Sequence, residues 1–193
     1  MNSNADPTVV IVPGLRDHVA DHWQTLLAAK LDRVRTVPPL EHDKLSLAAR
    51  VAALDAVLAD VHGPVVLVAH SAGCMITVHW AQRPTRPIQG ALLATPADLE
   101  QPLPEGYPTF EDLASHGWHP IPRGRLPFPT IVAASDNDPL GGHRRIAGMA
   151  ETWGSRLVDL GDVGHLNPAS GYGYWPQAEE LLADLMCVKE VAS

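Results

Sequence analysis

The sequence has few cysteines, few basic residues and no long apolar run. Its 193 residues include two cysteines, Cys74 and Cys187, and neither belongs to a C-x-x-C pair, so we expect reduced, buried thiols rather than a disulfide framework or a zinc site. Lys and Arg number 14 against 22 Asp and Glu, a net charge of −8. This balance argues against binding to nucleic acids or acidic membranes, because both are bound through clustered basic residues.

The apolar stretches are too short for a membrane protein. A membrane-spanning helix needs ~18 or more consecutive apolar residues, and the first apolar run of this chain, residues 8–12, is followed at once by Pro13 and Gly14. The polar N-terminus lacks the basic segment of a secretion signal, which predicts a cytoplasmic protein. With 46% hydrophobic residues, the chain is expected to form one globular domain over residues 1–193.

Apolar, β-branched runs alternate with helix-length amphipathic stretches along the chain. The runs predict strands at residues 8–12, 65–69, 88–94, 130–134 and, more weakly, 156–160, with a short strand near 33–37. Helices are predicted at residues 20–31, 45–61, 71–82, 142–153 and 175–188. Strands that alternate with helices form parallel β-α-β units, so the sequence predicts an α/β fold.

The apolar run at residues 65–69 leads Ser71 into a turn of small residues that continues into a predicted helix. A serine on such a sharp strand-to-helix turn requires small residues two positions before and after it, here Ala69 and Gly73. Because the helix begins at the serine, its free N–H groups and positive dipole end point toward an oxyanion formed there. The pattern predicts a nucleophile elbow and a serine hydrolase.

A nucleophilic serine needs a base, and the base needs a carboxylate that orients it. In α/β-hydrolases these follow the serine in the order Asp or Glu, then His, each just after a strand. His165 follows the last predicted strand, and Gly164 permits a tight loop before it, so we predict His165 as the base. Asp136 and Asp138 both follow the strand at 130–134; Asp138 is favoured, because Asp-Pro places a rigid turn after it, while Asp136 would cap the turn. Capping of the helix at 142–153 is the alternative for both.

Other histidines have simpler interpretations. His70 adjoins the nucleophile, and because adjacent side chains on the turn point apart, we expect it to pack or to hydrogen bond locally. His18 and His22 lie four residues apart on a predicted helix, and His116 and His119 lie three apart. These spacings suit a metal ion, but neither pair has a third ligand in the sequence, so a solvated surface is favoured and no metal site is predicted.

The transition state of acyl transfer also needs an oxyanion hole. Its predicted donors are the backbone N–H of Ala72, which follows the nucleophile, and that of Leu15 in the loop after the first strand. Gly14 can adopt conformations closed to other residues, which would turn the Leu15 N–H into the site. A Pro-Gly turn without this role is the alternative. Nearby, Trp23 is expected to pack in the core rather than to line the pocket.

A proline-rich segment, residues 95–129, separates two of the predicted strands. Long loops in compact domains are often functional, and this one leaves the sheet edge where ligands bind in open α/β folds. Two interpretations stay open. The segment is either part of the substrate wall or a surface connection with one short helix at residues 110–115.

The motifs occur in an order and spacing that resembles a known family. The chain is similar to the small single-domain serine hydrolases typified by retinoblastoma-binding protein nine, through Val12-Pro13-Gly14-Leu15, His22-Trp23-Gln24, Ala69-His70-Ser71-Ala72-Gly73, Ser135-x-x-Asp138-Pro139 and Gly164-His165-Leu166-Asn167. The resemblance implies an α/β-hydrolase fold, a three-layer sandwich with a mostly parallel sheet of about six strands and no large lid domain. It also implies that no cofactor is needed and that Ser71, Asp138 and His165 are the triad. Ala69 departs from the Gly that most α/β-hydrolases have before the serine.

These observations predict a carboxylesterase-like hydrolase that cleaves an ester, thioester or amide of a small acyl group through an acyl-serine at Ser71. The expected partner is a small acyl substrate. One alternative is a catalytically silent protein that uses the same fold for interactions, and another is an acyltransferase with the same triad. A dinucleotide enzyme is disfavoured, because Gly14 has no G-x-G-x-x-G around it.

Overall fold

The computed structural model describes residues 6–187, which form a six-stranded, fully parallel sheet between two layers of helices. The strands are β1 (Thr8–Val12), β2 (Val34–Thr36), β3 (Val65–His70), β4 (Gly90–Ala94), β5 (Thr130–Ala134) and β6 (Arg156–Asp159), in the spatial order β2-β1-β3-β4-β5-β6. The helices are α1 (Trp23–Ala28), α2 (Leu47–Ala59), α3 (Ala72–Trp80), α4 (Phe110–Ser115), α5 (His143–Trp153) and α6 (Gln177–Met186), with a 3₁₀ turn at Pro168–Ser170. The predicted α/β fold is confirmed. Within residues 6–187, no helix has the length and apolar character that crossing a bilayer requires.

Alternate residues of the central strands supply two cores, one on each face of the sheet. In β3, which is buried along its whole length, Leu67 and Ala69 face the layer of α2, α3 and α5. Val66 and Val68 face the opposite layer, formed by α1 and α6. Strands covered on both faces appear in a sequence as continuous apolar runs, which is why these strands could be predicted.

Predicted and observed elements differ mainly at their ends. The first helix begins at Trp23 rather than at residue 20, because the His22 side chain caps it by accepting a hydrogen bond from the Gln24 N–H. His18 and His22 therefore do not share a helix. The helix predicted at residues 175–188 spans Gln177–Met186, and residue 188 lies outside the described residues.

The proline-rich segment, residues 95–129, packs against the core rather than running over the surface. Its one helix, α4, has the predicted bounds and begins with a capping box between Thr109 and Asp112. The segment also buries seven apolar side chains, Ala97, Leu99, Leu113, Trp118, Ile121, Leu126 and Phe128. The Trp118 indole N–H donates to the Leu45 carbonyl at 2.8 Å, which ties the segment to the loop before α2.

The two cysteines lie in different environments, and both are free. Cys74 is buried in α3, where it donates to the Ala94 carbonyl at 3.4 Å and burial raises the pKa of its thiol well above the usual value. Cys187 follows the last residue of α6 and is exposed. The expectation that both thiols are buried is therefore wrong for Cys187, because this position lies beyond the residues that α6 packs onto the sheet.

Candidate active site

Ser71 lies on a sharp turn between β3 and α3, with a backbone conformation that non-glycine residues rarely adopt. Its φ is 58° and its ψ is −127°, in the left-handed half of the map, and its N–H donates to the Ala94 carbonyl at 3.1 Å. At Gly73 an added Cβ would lie 2.2 Å from the Val12 carbonyl oxygen, so only glycine allows α3 to approach β1 this closely. Ala69 is fully buried in β3. The turn therefore holds the serine hydroxyl out from the carboxyl end of the sheet.

Three side chains that are far apart in the sequence form one hydrogen-bonded chain at this edge. Ser71 Oγ lies 2.8 Å from His165 Nε2, and His165 Nδ1 lies 2.9 Å from each carboxylate oxygen of Asp138. His165 is 5% exposed and Asp138 is 8% exposed. The three meet because each follows one of three parallel strands, β3, β5 and β6, whose carboxyl ends lie on the same side of the sheet.

The structure brings Asp138, not Asp136, to His165. Asp138 Oδ1 also accepts a hydrogen bond from the Leu140 N–H at 2.8 Å, which fixes the carboxylate in its turn. The Asp136 side chain is exposed, and its Oδ1 lies 3.8 Å from His143 Nε2. Gly142 stands at the N-cap of α5 and no side chain caps the helix there, so neither aspartate has the alternative capping role.

The loop that carries His165 is held by hydrogen bonds on both sides of the imidazole. The Gly164 N–H donates to Asn137 Oδ1 at 2.6 Å, and the His165 N–H donates to Ser170 Oγ at 3.1 Å. His70 Nε2 donates to the His165 carbonyl at 2.9 Å. These contacts fix the backbone that aims the ring at Ser71.

The two predicted oxyanion donors both line the cavity above Ser71. Neither the Leu15 N–H nor the Ala72 N–H donates to a protein acceptor among residues 6–187. Gly14 has no left-handed φ, so the expectation that a rare backbone conformation turns the loop is wrong. Glycine is needed there for space instead, because an added Cβ would lie 3.1 Å from the Cβ of Ser71.

The cavity above Ser71 has a volume of about 150 Å³. Much of its wall is apolar, and the segment 95–129 supplies one side of it through Ala97, Leu99, Leu103 and Tyr107. The rim carries Arg16, whose guanidinium lies 5.2 Å from the centre of the Tyr107 ring. Of the two interpretations of this segment, the structure supports a wall of the cavity.

Comparison with known proteins decides the family. Residues 9–184 match the family described as serine hydrolase. The chain belongs to the serine hydrolase family. No curated protein sequence matches it.

Solved structures show the same fold. The chain is similar to a YdeN-like hydrolase from Pectobacterium atrosepticum, with 29% identity over 94% of this chain and 91% of that one and a TM-score of 0.79. The ydeN gene product of B. subtilis is 19% identical over 94% and 100%, with a TM-score of 0.72. Est1E from Butyrivibrio proteoclasticus is 11% identical over 97% and 91%, with a TM-score of 0.70. The α/β-hydrolase fold, the absence of a lid domain within residues 6–187 and the enzyme class predicted from the sequence are thereby confirmed.

Three imidazole rings lie next to one another at the carboxyl edge of the sheet in this serine hydrolase. The His70 ring lies between those of His22 and His165, with ring centres 4.5 Å and 4.8 Å away. Burial, and then the neighbouring His165, lowers the pKa of His22 to about 4. Burial also lowers the pKa of His70 well below its usual value. The expectation that His22 is a solvated surface residue is wrong, because the side chain caps α1 and is only 9% exposed.

These lowered pKa values make the stability of the serine hydrolase depend on pH. Both histidines bind protons more weakly in the folded chain, so the unfolded chain takes up more protons below pH 6.5 and the free energy of unfolding falls as the pH falls. For His22, with its pKa lowered to about 4, we expect a loss on the order of 2 kcal/mol between pH 8 and pH 5. Urea unfolding at pH 8 and at pH 5 measures this change in the free energy of unfolding. In the His22→Asn variant the dependence should be weaker by about this amount, and an unchanged dependence would contradict the assignment.

Sequence reasoning missed Arg50, which is buried in α2 and holds the loop that carries Leu15 in this serine hydrolase. Its Nη1 lies 3.0 Å from Asp17 Oδ1, and its Nη2 donates to the Leu15 carbonyl at 3.4 Å. A signal was present, because Arg50 lies three residues after Leu47 and four before Leu54, on the apolar face of α2. A charge at a core-facing position of this kind indicates a buried partner.

Trp23 packs in the core, as expected. Its ring meets that of Trp175 edge to face, with 4.9 Å between the ring centres, and it is 1% exposed.

Proposed function

We propose that this serine hydrolase cleaves an ester, thioester or amide of a small acyl group, with Ser71 as nucleophile, His165 as general base and Asp138 as the orienting carboxylate. The observation that carries the proposal is the continuous contact from Ser71 Oγ through the His165 ring to both oxygens of Asp138. A serine hydroxyl needs such a base to become nucleophilic at neutral pH. The substrate is a small acyl compound that enters the cavity above Ser71.

The contacts of His165 favour one placement of the protons. The Asp138 carboxylate can only accept, so His165 Nδ1 carries the proton and Nε2 is left to accept the Ser71 O–H. As Oγ attacks the acyl carbon, this proton moves to Nε2 and the imidazolium is stabilised by Asp138. The proton then moves from Nε2 to the departing alcohol, thiol or amine as the bond between that group and the acyl carbon breaks, which leaves an acyl-serine. Water attacks the acyl-serine in the same way and gives a proton to Nε2. As the bond between the acyl carbon and Oγ breaks, Nε2 passes that proton to Oγ, which releases the acid and regenerates Ser71 and the neutral imidazole.

The negative charge of each tetrahedral intermediate would be held by backbone N–H groups. Those of Leu15 and Ala72 line the cavity without an acceptor among residues 6–187, so they are available to an oxyanion. Ala72 begins α3, whose positive dipole end adds to the same field. Donors held in place before the reaction stabilise the transition state without the cost of reorganisation.

The cavity volume predicts a preference for short acyl chains. A cavity of about 150 Å³ whose wall is mostly apolar holds a group of about the size of benzene. We expect kcat/KM for p-nitrophenyl esters to rise from acetate to butanoate or hexanoate, because each added CH₂ buries apolar surface worth about 0.8 kcal/mol. For the dodecanoate we expect a fall of at least about tenfold from the maximum, because the chain no longer fits.

The matched variant for this panel is Leu103→Ala, which enlarges the wall of the cavity. Its optimum should move toward longer acyl chains, with the fold unchanged, because Leu103 is only partly buried. A wild-type profile that rises steadily to dodecanoate would contradict the small-acyl assignment.

A further inference from the structure

His22 presents a fixed hydrogen-bond donor that no step of the proposed reaction uses. Its side chain is 9% exposed and lines the cavity above Ser71, together with Gln24. It also lines a smaller neighbouring cavity of about 60 Å³. The segment from Asp17 to Gln24 thus separates the two spaces, and the imidazole of His22 stands in that partition.

The position of the proton on His22 follows from its neighbours. The Gln24 N–H donates to His22 Nδ1 at 3.2 Å, so Nδ1 is an acceptor and carries no proton. Burial keeps the ring neutral at neutral pH, since the pKa is lowered to about 4. A neutral imidazole with a bare Nδ1 has its one proton on Nε2, and the N-cap therefore fixes the tautomer.

Nε2–H has no protein acceptor within residues 6–187. Four buried side-chain atoms of this part of the chain lack a hydrogen-bond partner, namely Trp23 Nε1, His79 Nε2, Arg86 Nε and Ser155 Oγ. His22 Nε2 is not among them although it too has no partner, so it is not sealed in protein and remains reachable from a cavity. The residue as a whole is only 9% exposed, so a group that fills the cavity would cover this donor, and leaving the donor without an acceptor would then be costly.

We propose that His22 Nε2–H binds the substrate, and that the enzyme favours small acyl compounds with an acceptor oxygen in addition to the scissile carbonyl. This inference rests on the proposed function and adds a polar contact to its substrate class. The apolar side chains Leu99, Leu103 and Leu140 hold the hydrocarbon part, while His22 selects for an ether, hydroxyl or carbonyl oxygen. A site that donates a hydrogen bond discriminates against the analogue that lacks the acceptor, because the buried donor is then left unpaired.

Two substitutions separate this role from the capping role of His22. Asparagine is a good N-cap and places Oδ1 near the position of Nδ1, so His22→Asn keeps the cap and removes the distant donor. Glutamine reaches the position of Nε2 with an N–H but lacks the cap acceptor, so His22→Gln keeps the donor. Urea unfolding at pH 8, where the histidine is neutral, should show a lower free energy of unfolding for His22→Gln than for His22→Asn, because only His22→Gln loses the cap.

The test compares pairs of substrates in which an ether oxygen replaces a CH₂ group. One pair places the oxygen in the acyl chain and compares p-nitrophenyl methoxyacetate with p-nitrophenyl butanoate. The other places it in the leaving group and compares 2-methoxyethyl butanoate with butyl butanoate. Each kcat/KM ratio is divided by the ratio of the rates with hydroxide, which removes intrinsic reactivity. We expect the wild type to favour the ether in at least one pair by about three- to tenfold, His22→Asn to lose that preference and His22→Gln to retain most of it.

Failure of this inference can be told apart from failure of the proposed function. If the wild type hydrolyses the esters and His22→Asn shows the same corrected ratios in both pairs, the donor role is wrong and the hydrolase assignment stands. The donor role is also wrong, with the hydrolase assignment unaffected, if His22→Gln and His22→Asn both lose the preference for the ether. The preference would then depend on the imidazole ring and not on its Nε2–H. Absence of turnover that depends on Ser71 would overturn both.

Discussion

Ser71→Ala is expected to lower kcat/KM for p-nitrophenyl butanoate by a factor on the order of 10⁴ or more, because it removes the nucleophile itself. The side chain of Ser71 makes one hydrogen bond, to His165, so its loss should leave the fold intact. Alanine carries a Cβ as serine does, so both proteins bear the strain of a positive φ at this position. The rate is measured with the fold monitored by circular dichroism.

The matched control is Ser155→Ala, at the edge of the sheet opposite the site. Ser155 directly precedes β6, and its buried hydroxyl has no hydrogen-bond partner among residues 6–187. Its removal should leave kcat/KM unchanged. Retention of more than about a tenth of the activity by Ser71→Ala would contradict the assignment of the nucleophile, and would favour a protein that uses the α/β-hydrolase fold for another purpose.

Asp138→Asn is expected to lower kcat by a factor on the order of 10⁴ while Asp136→Asn changes it by less than about threefold. The amide oxygen of asparagine can still accept from the Leu140 N–H, which leaves its NH₂ group to face His165 Nδ1. His165 would then accept at Nδ1 and carry its proton on Nε2, where it cannot take the proton of Ser71. The variant keeps the shape of the site and loses the tautomer that the reaction needs.

The pair of variants settles which of two neighbouring carboxylates acts. Both are measured with p-nitrophenyl butanoate, and urea unfolding checks that both are folded. A larger loss of kcat in Asp136→Asn than in Asp138→Asn would overturn the assignment, because the exposed Asp136 side chain has no contact with His165.

The elements of the fold were predictable because their signals are local. β1 and β5 are continuous apolar runs that end at turn residues, and their observed bounds are those predicted. The serine turn could be recognised from the small residues Ala69 and Gly73, whose size the close approach of α3 to the sheet requires. The predicted start of the first helix, residue 20, is wrong, because the His22 cap and not the apolar periodicity fixes where α1 begins.

The parts of the site that depend on packing could not be read from spacing. Asp136 and Asp138 have the same sequence signal, and only the direction of the chain after β5 separates them. His22 resembles a surface residue in the sequence, and it becomes buried because α1 packs on the sheet. Arg50 lies on the apolar face of α2, which indicates burial, but its spacing does not name its partners, Asp17 and the Leu15 carbonyl. The apolar wall of the cavity likewise forms only when the proline-rich segment folds onto the core.

Mass spectrometry of the protein after treatment with a fluorophosphonate tests most directly whether Ser71 is an activated nucleophile. We expect one adduct per chain, located by proteolysis on the peptide that contains Ser71, absent in Ser71→Ala and formed far more slowly in Asp138→Asn. An unmodified Ser71 peptide in the folded wild-type protein, whether the probe reacts elsewhere or nowhere, would contradict the proposed mechanism.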